Sequence, residues 1–302
     1  MARTDLLVRA DHLRSGRMPF VLATVVRAER PTSAKAGDCA LVLPDGTIEG
    51  FVGGSCAEST VRLQGLRLLE TGESTLLRIT PVPGEAEPDA EGLVTVGNPC
   101  LSGGTLEIFL EAMLPPTLVH VFGDAPVARA LVSVGEALGY AISATSDPDE
   151  RIVTDARAVV VASHGRAEER VLTAALHADV PYVALVASRR RGRAVVAGLD
   201  VPDEQKARVH TPAGLDIGAR TAPEIALSIL AEVIADRPRV AARSTTEPPP
   251  PVRAATEAVD PVCGMAVAVA ESSLQLEHAG QTWYFCGTGC QRAFADDPER
   301  YT

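Results

Sequence analysis

The spacing of apolar positions divides the chain into three parts, and the first part mixes helices with strands. Two stretches, 5–13 and 57–70, have the spacing of helices, and the second ends at Thr71-Gly72, a typical helix stop. Short apolar runs bounded by turn residues predict strands over 20–27, 40–43, 47–52, 74–80 and 105–110. We therefore predict an N-terminal α+β domain over residues 1–114.

The second part alternates strands and helices. Apolar runs predict strands over 118–122, 141–145, 158–162 and 182–186, and helical spacing follows over 127–138, 167–177 and 190–198. Thr221 and Glu224, with Pro223 between them, form a capping box that opens a last helix. This alternation predicts a Rossmann-like domain, with a doubly wound parallel sheet, over residues 115–238.

The third part follows a proline-rich linker. Residues 239–258 include the run Glu247-Pro248-Pro249-Pro250-Pro251, which is typical of a semi-rigid spacer. Residues 259–302 then form a small cysteine-rich module with a predicted hairpin over 274–278 and 281–285. A module of this size has little apolar core and usually needs a metal or a covalent cross-link. The predicted fold class of the whole chain is α/β.

Three cysteines of this module are candidates for a metal site. Cys286 and Cys290 are four residues apart, which places two thiols on one face of a helix, and Cys263 would join them from a loop. Thiolates suit Cu(I) or Zn(II). His278 or Asp260 would supply a fourth ligand, and the sequence does not choose between them. The alternative interpretation is a set of buried structural thiols.

Charge and composition exclude two classes of partner. With a net charge of −11 over 302 residues, the protein lacks the basic surface of a general nucleic-acid binder or of a protein held on anionic membranes. No apolar run reaches the ~18 residues of a membrane span, and the charged first residues argue against a signal peptide. Six scattered cysteines are too few for a disulfide scaffold. These observations predict a cytoplasmic protein without nucleic acid and without stable membrane insertion.

Two glycine-rich loops of the first domain carry cysteines. The loop Gly53-Gly54-Ser55-Cys56 joins a predicted strand to a helix, which would direct its free N–H groups and partial positive charge at the loop. A thiol at a helix N-terminus has a lowered pKa and favours the thiolate. A second loop, 98–104, carries Cys100 beside another strand. The alternative interpretation is a pair of tight turns with structural cysteines.

The first turn of the Rossmann-like domain matches a dinucleotide fingerprint only in part. Gly123 occupies the first glycine position, but Ala125 and Ala128 occupy the second and third. Asp147 lies where a ribose-binding acid is expected. A glycine-punctuated loop, 212–220, is expected at the carboxyl end of a strand, where doubly wound folds bind ligands. The pattern favours the fold over a bound nicotinamide cofactor.

Segments from all three parts resemble known families. Residues 23–27, Gly53-Gly54-Ser55-Cys56-Ala57-Glu58 and residues 100–107 resemble the N-terminal domain of the XdhC/CoxI family. Residues 120–123, Ser163-His164-Gly165 and residues 214–219 resemble the Rossmann-like domain of that family. Residues 260–265, Tyr284-Phe285-Cys286 and residues 294–301 are similar to a YHS domain.

The resemblance implies a maturation factor rather than a metabolic enzyme. Members of the XdhC/CoxI family bind the molybdenum cofactor, support its sulfuration and insert it into a xanthine dehydrogenase or an aerobic carbon monoxide dehydrogenase. The implied partners are a molybdenum hydroxylase client and a cysteine desulfurase, and a homodimer is a further hypothesis. Cys56 and Glu58 match the family's Gly-Gly-Gly-Cys-x-Glu motif, with Ser55 in place of the third glycine.

Two sets of site residues follow from the loops and the resemblance. The residues expected to contact the cofactor are Gly53, Gly54, Ser55, Cys56, Glu58, Cys100, Ser102, Gly103 and Gly104. The residues expected to bind Cu or Zn are Cys263, Cys286 and Cys290.

Two other functions remain open on the sequence. An NAD(P)-dependent oxidoreductase would use the middle domain, where His164 is the candidate acid. A copper or zinc carrier or sensor would act through the C-terminal module, with the rest of the chain as a scaffold. The first predicts nicotinamide turnover, and the second predicts metal affinity without cofactor affinity.

Overall fold

The computed structural model describes residues 3–81, 92–98, 104–237 and 257–302, which form two compact units. Unit 1 combines the described residues up to 115 with residues 257–302, and unit 2 contains residues 116–237. The predicted four-part division of the chain stays a prediction. The structure adds that the N-terminal domain and the C-terminal module pack together in one unit.

A six-stranded sheet forms the centre of the N-terminal part of unit 1. The elements are α1 (Arg3–Ser15), β1 (Phe20–Glu29), β2 (Cys39–Val42), β3 (Ile48–Gly50), α2 (Ser55–Thr71), β4 (Thr75–Thr80), β5 (Leu93–Gly97) and β6 (Thr105–Met113). The strand order is β3-β2-β1-β6-β4-β5. All neighbouring strands are antiparallel except β4 and β5. Strand β5 was not predicted from the sequence.

Unit 2 is built on a five-stranded parallel sheet. The elements are β7 (Leu118–Phe122), α3 (Pro126–Ala137), β8 (Ala141–Thr145), β9 (Ala156–Val161), α4 (Glu168–His177), β10 (Tyr182–Leu185), α5 (Arg189–Ala197), α6 (Asp203–Lys206), β11 (Val209–His210) and α7 (Ala222–Ala235). The strand order is β11-β10-β9-β7-β8, and every pair is parallel. The expected capping box of Thr221 and Glu224 opens α7.

Helices cover both faces of the parallel sheet. One apolar cluster joins Leu131 of α3 and Ile229 of α7 to alternate positions of β7, β9 and β10. A second cluster joins Leu172 of α4 to the other positions of the same strands. Because β7 is buried along its whole length, both of its faces need apolar cover. The prediction of a Rossmann-like, doubly wound sheet is confirmed.

The C-terminal module consists of two small antiparallel sheets and a short helix. The elements are β12 (Glu257–Val259), β13 (Ala266–Ala268), β14 (Leu274–His278), β15 (Gln281–Phe285) and α8 (Thr288–Asp296). Phe294 of α8 is fully buried and lies against the rings of Trp283 and Phe285, each with a centroid distance of 5.3 Å. The predicted hairpin therefore folds around a single aromatic side chain.

Helix α2 contacts both parts of unit 1. Its buried positions, among them Val61 and Leu68, pack on the central sheet. The same helix contacts β13 of the C-terminal module. Arg67 of α2 forms an ion pair with Glu257 of β12, with 2.5 Å between Nη2 and Oε1. The C-terminal module is thus held against the helix that follows the Gly53-Gly54 loop.

Within the four described ranges, no helix combines the length and the apolar character that crossing a bilayer requires.

Gly123 allows β7 and the end of β9 to approach each other, and its replacement should destabilise unit 2. Its φ is 116°, and an added Cβ would stand 2.3 Å from the carbonyl oxygen of Ala162. Gly139 is the matched control, because its φ is 74° but nothing lies within 4 Å of an added Cβ. We expect Gly123→Ala to lower the free energy of unfolding by roughly 3 kcal/mol or more, and Gly139→Ala by roughly 1 kcal/mol.

Urea unfolding followed by far-UV circular dichroism measures both effects. Equal losses in the two variants would show that the backbone contact with Ala162 contributes nothing.

Candidate functional site

The loop before α2 places Cys56 in the first turn of that helix. Gly53 has a φ of 141°, and an added Cβ there would stand 3.0 Å from the Cβ of Ala57, so glycine is required for both conformation and space. Gly54 is the N-cap residue and has an extended backbone. Because glycine has no side chain, the N-cap position offers no acceptor to the first N–H groups of α2. A helix start of this kind favours an anion.

The three cysteines of the C-terminal module form a compact cluster. The Cys263 and Cys286 sulfurs are 3.5 Å apart, and those of Cys286 and Cys290 are 3.7 Å apart. The expectation that Cys286 and Cys290 share a helix face is wrong, because α8 begins at Thr288 and Gly287 is its N-cap residue. Cys286 follows the last residue of β15 instead. The turn into α8 still brings the two sulfurs together.

Asp260 holds the backbone around this cluster. It is fully buried, and its Oδ1 accepts hydrogen bonds from the N–H groups of Val262 (2.9 Å) and Cys263 (3.4 Å). Its Oδ2 accepts a hydrogen bond of 2.8 Å from the N–H of Cys286. One carboxylate therefore ties the Cys263 turn to the end of β15.

Cys56 of α2 belongs to the same cluster of side chains. It packs with Cys263 and Cys290 against the buried residues Met265 and Cys286. Unit 1 therefore brings a thiol of the N-terminal domain to the three thiols of the C-terminal module.

Gly287 makes this approach possible. An added Cβ at Gly287 would stand 2.8 Å from the Ser55 Oγ and 3.6 Å from the Cys56 sulfur. The φ of Gly287 is −165°, which any residue adopts, so the requirement is for space rather than for conformation. A Cβ at this position would clash with the Ser55 hydroxyl and come into van der Waals contact with the Cys56 sulfur.

A cavity of about 460 Å³ opens between these groups. This volume lies within the range of ligand-binding sites, ~300–1,000 Å³. The cavity is lined by Ser55, Cys56, Asn98, Val262, Cys263, Met265, Cys286, Gly287, Gly289 and Cys290.

The three thiols of the C-terminal module differ in the direction in which their pKa is shifted. A hydrogen bond from the Cys286 thiol lowers the pKa of Cys263. The pKa of Cys286 is raised, first through its hydrogen bond to Cys263 and then through Cys56. Burial raises the pKa of Cys290 to about 12. Cys263 therefore loses its proton most readily of the three, and a metal that binds all of them must displace protons.

The other residues expected to contact the cofactor do not all reach the cavity. Glu58 lies one turn before Arg62, where burial lowers the pKa of the guanidinium and the Glu58 charge partly opposes that shift. Gly104 packs against backbone, because an added Cβ would stand 2.3 Å from the carbonyl oxygen of Pro31. Three expected residues lie outside the described residues: Cys100, Ser102 and Gly103.

The two proposed fourth ligands differ in position. Asp260 offers an oxygen that lies, with the three sulfurs of the module, in a group whose ligand atoms are all within 4.8 Å of one another. His278 instead contacts the ring of Phe294 edge-on, with a centroid distance of 5.8 Å, and is not part of that group.

Unit 2 has a separate cavity of about 630 Å³. It is lined by His164, residues 186–189, Arg191, residues 212–219, Ile225 and Ser228. Glu232 positions the 212–219 loop, because it accepts hydrogen bonds from the Gly214 N–H (2.8 Å) and from the hydroxyl of the buried Tyr182 (2.6 Å). The Gly123 turn is not among the described lining residues. The cavity therefore does not coincide with the partial dinucleotide fingerprint.

Comparisons with known proteins match the chain in three segments. The XdhC and CoxI family matches residues 13–80, and the XdhC Rossmann domain matches residues 119–233. The chain therefore contains both domains of the XdhC and CoxI family. A YHS domain matches residues 258–302, so the C-terminal module is a YHS domain.

Two curated relatives come from Escherichia coli strain K12. The uncharacterized protein YqeB is 28% identical over 258 residues, which cover 76% of this chain and 46% of YqeB. The molybdenum cofactor insertion chaperone PaoD is 24% identical over 282 residues, with coverage of 78% and 88%. The chain thus spans less than half the length of the first of these relatives.

A third curated relative and one solved structure carry the name of xanthine dehydrogenase. A probable xanthine dehydrogenase component of Bacillus subtilis strain 168 is 32% identical over 84 residues, which cover 28% of this chain and 24% of that protein. The crystal structure of a xanthine dehydrogenase from Bacillus halodurans covers 80% of this chain and 98% of its own, at 17% identity and a TM-score of 0.38.

Sequence reasoning did not place Cys56 beside the YHS thiols. It also did not identify the other lining residues, namely Asn98, Val262, Met265, Gly287 and Gly289. Nothing in the spacing of the cysteines indicates this meeting, because unit 2 separates Cys56 from Cys263 along the chain.

Proposed function

We propose that this protein binds the molybdenum cofactor and assists its insertion into a molybdoenzyme of the xanthine dehydrogenase type. The matches to both domains of the XdhC and CoxI family and the similarity to an insertion chaperone support this proposal. Similarity to xanthine dehydrogenase-related proteins supports the class of client. The proposal extends to a client of the aerobic carbon monoxide dehydrogenase type, to sulfuration of the cofactor with a cysteine desulfurase as partner, to a homodimer and to a cytoplasmic location.

The observation that carries the proposal is the position of Cys56. Its thiol lies in the first turn of α2 and lines a cavity large enough for a pterin. The molybdenum cofactor combines a phosphate with a sulfur-ligated molybdenum. A helix start with a glycine N-cap suits the phosphate, and the thiol in the same first turn suits the metal end. The donor set of this cavity therefore fits both ends of the cofactor.

Each residue has a defined task in this proposal. Gly53 turns the chain so that the N–H groups at the start of α2 face a phosphate, and the helix dipole adds positive potential there. Cys56, in that first turn, would lie beside a terminal sulfur of the cofactor and shield it from solvent. Ser55, which replaces a family glycine, adds a hydroxyl to the cavity wall.

The second candidate function is transport or sensing of a soft metal through the YHS domain. The cluster of Asp260, Cys263, Cys286 and Cys290 favours it, because four potential ligand atoms are already close together. This function predicts metal affinity whether or not the protein binds the molybdenum cofactor.

An insertion assay tests the proposed function. A cofactor-free molybdenum hydroxylase of the xanthine dehydrogenase type is incubated anaerobically with cofactor, with or without this protein, and its recovered activity is measured. We expect the wild-type protein to raise the activated fraction several-fold above free cofactor, and Cys56→Ala to give no increase.

Cys39→Ala is the matched thiol control, because Cys39 lies on β2 among residues that pack around α1. It should behave as the wild type. Equal activation by Cys56→Ala and wild type would contradict the assignment of the site, and no activation by wild type would contradict insertion.

A further inference from the structure

The four thiols of unit 1 converge from two different domains. Cys56 comes from the XdhC/CoxI domain, whereas Cys263, Cys286 and Cys290 come from the YHS domain. They pack in one cluster and line one cavity. Neither domain contains this set by itself, so its function depends on how the YHS domain is held against α2.

The YHS domain supplies three thiols and the oxygen of Asp260 to a metal, and a fourth thiol has to come from outside it. A structural Zn(II) site has four ligands, almost always in a tetrahedral arrangement. His278 lies against the ring of Phe294. Both oxygens of Asp260 already accept hydrogen bonds from backbone N–H groups, and those bonds set the positions of Cys263 and Cys286. The carboxylate therefore acts as a support for the ligands.

Cys56 is the remaining thiol among the described residues that line the cavity. Its sulfur lies close to Gly287, the residue that follows Cys286. The glycine leaves room for the start of α2 at this point. Contacts away from the thiols also fix the two domains, since Arg67 pairs with Glu257 and the Ser272 hydroxyl donates to the carbonyl of Asp45 at 3.4 Å.

We propose that Cys56 is the fourth ligand of a thiolate site for a soft d10 ion, Cu(I) or Zn(II), together with Cys263, Cys286 and Cys290. The bound ion links the YHS domain to α2 and occupies the thiol that the molybdenum cofactor requires. Metal and cofactor therefore compete for Cys56, and the YHS domain regulates access to the cofactor site. The competition rests on the proposed function, whereas the metal site does not.

The composition of the site is tested with Co(II) as a spectroscopic substitute for Zn(II) on the full-length, reduced protein. The wild type should bind one Co(II) with tetrahedral absorption bands and a sulfur-to-cobalt charge-transfer band of four thiolates. Cys56→Ser should reduce that band from four thiolates to three. The Co(II) affinity of Cys56→Ser should also fall. Loss of a residue that only supports a ligand costs roughly 10- to 100-fold in metal affinity, so loss of a ligand itself should cost at least as much.

Gly287→Ala provides a second test that leaves all four thiols in place. Its added Cβ would stand 2.8 Å from the Ser55 Oγ in the first turn of α2, so it should shift that turn and weaken the Cys56 contribution to the spectrum. Gly289→Ala is the matched control, because nothing lies within 4 Å of an added Cβ there. It should bind Co(II) as the wild type does.

Competition is measured by titrating the molybdenum cofactor into metal-free and Zn(II)-loaded protein. Cofactor binding should be at least 10-fold weaker in the loaded wild type, and Zn(II) should have no effect in a Cys263→Ser/Cys286→Ser variant. An unchanged Co(II) spectrum and affinity in Cys56→Ser, or no Co(II) binding by the wild type, would overturn the metal site. Equal cofactor affinity with and without Zn(II) would overturn the competition. Absence of cofactor binding in metal-free wild type would instead refute the proposed function and leave the metal site standing.

Discussion

Replacing Asp260 with alanine is expected to unfold the YHS domain when no metal is bound. The buried carboxylate accepts hydrogen bonds from three backbone N–H groups, those of Val262, Cys263 and Cys286. A buried donor without a partner costs about 1–3 kcal/mol. A domain of this size rarely has more than roughly 3–5 kcal/mol of stability from its core. Loss of all three acceptor contacts therefore removes most of the stability.

Trp283 reports on this domain selectively, because it is the one tryptophan of the chain and it packs on the central Phe294. Urea unfolding of the metal-free protein, followed by tryptophan fluorescence, should show a transition for the wild type and none for Asp260→Ala. Asp260→Asn should give an intermediate midpoint, because its amide keeps one acceptor oxygen. Asp296→Asn is the control, since Asp296 is exposed on α8. A wild-type midpoint in Asp260→Ala would contradict the role of the carboxylate.

Metal should partly rescue the same variant. The thiol ligands hold the Cys263 turn and the start of α8 together when an ion is bound, so the apparent stability of Asp260→Ala should rise with Zn(II) concentration.

The sequence predicted the parallel sheet of unit 2 and the hairpin of the YHS domain well. Strands β7 and β8 have the predicted bounds, and so have β14 and β15. Each of these strands is a continuous apolar or alternating run between clear turn residues, so the local signal is strong. The capping box at Thr221 was also predicted correctly, because its pattern of residues is specific to the start of a helix.

Other strands could not be predicted because their stability comes from pairing. Strand β5 has only partly buried or exposed residues and follows a proline-rich stretch, yet it pairs in parallel with β4. Strands β12 and β13 are three residues long each, which is too short to show a period. Their register is set by neighbours that are distant in the sequence.

The sequence predicted the cysteines of the candidate site but not that they lie together. Glycines before Cys56 and the spacing of Cys286 and Cys290 indicated two separate thiol sites. The structure shows one cluster, because α2 packs on its own sheet and also against β13. Packing between two domains depends on the shape of their surfaces, such as the space at Gly287. The periodicity of a single sequence does not predict that packing.

Binding of the molybdenum cofactor to the metal-free protein tests the central proposal most directly. Cys56 is the thiol expected to face the molybdenum, so its loss should remove the soft contact while the helix start keeps its affinity for phosphate. We expect near-stoichiometric binding by the wild type and by Cys39→Ala. The cofactor affinity of Cys56→Ala should be lower than that of the wild type by at least the roughly 10- to 100-fold that is typical of a perturbed metal site.

The measurement is an anaerobic equilibrium titration of metal-free protein with cofactor, with urea unfolding followed by far-UV circular dichroism as the check that each variant is folded. One cofactor bound per wild-type chain, with binding weakened at least roughly 10-fold in Cys56→Ala and unchanged in Cys39→Ala, is the result that we predict. Equal binding by Cys56→Ala would contradict the site, and the absence of binding by the wild type would contradict the proposed function.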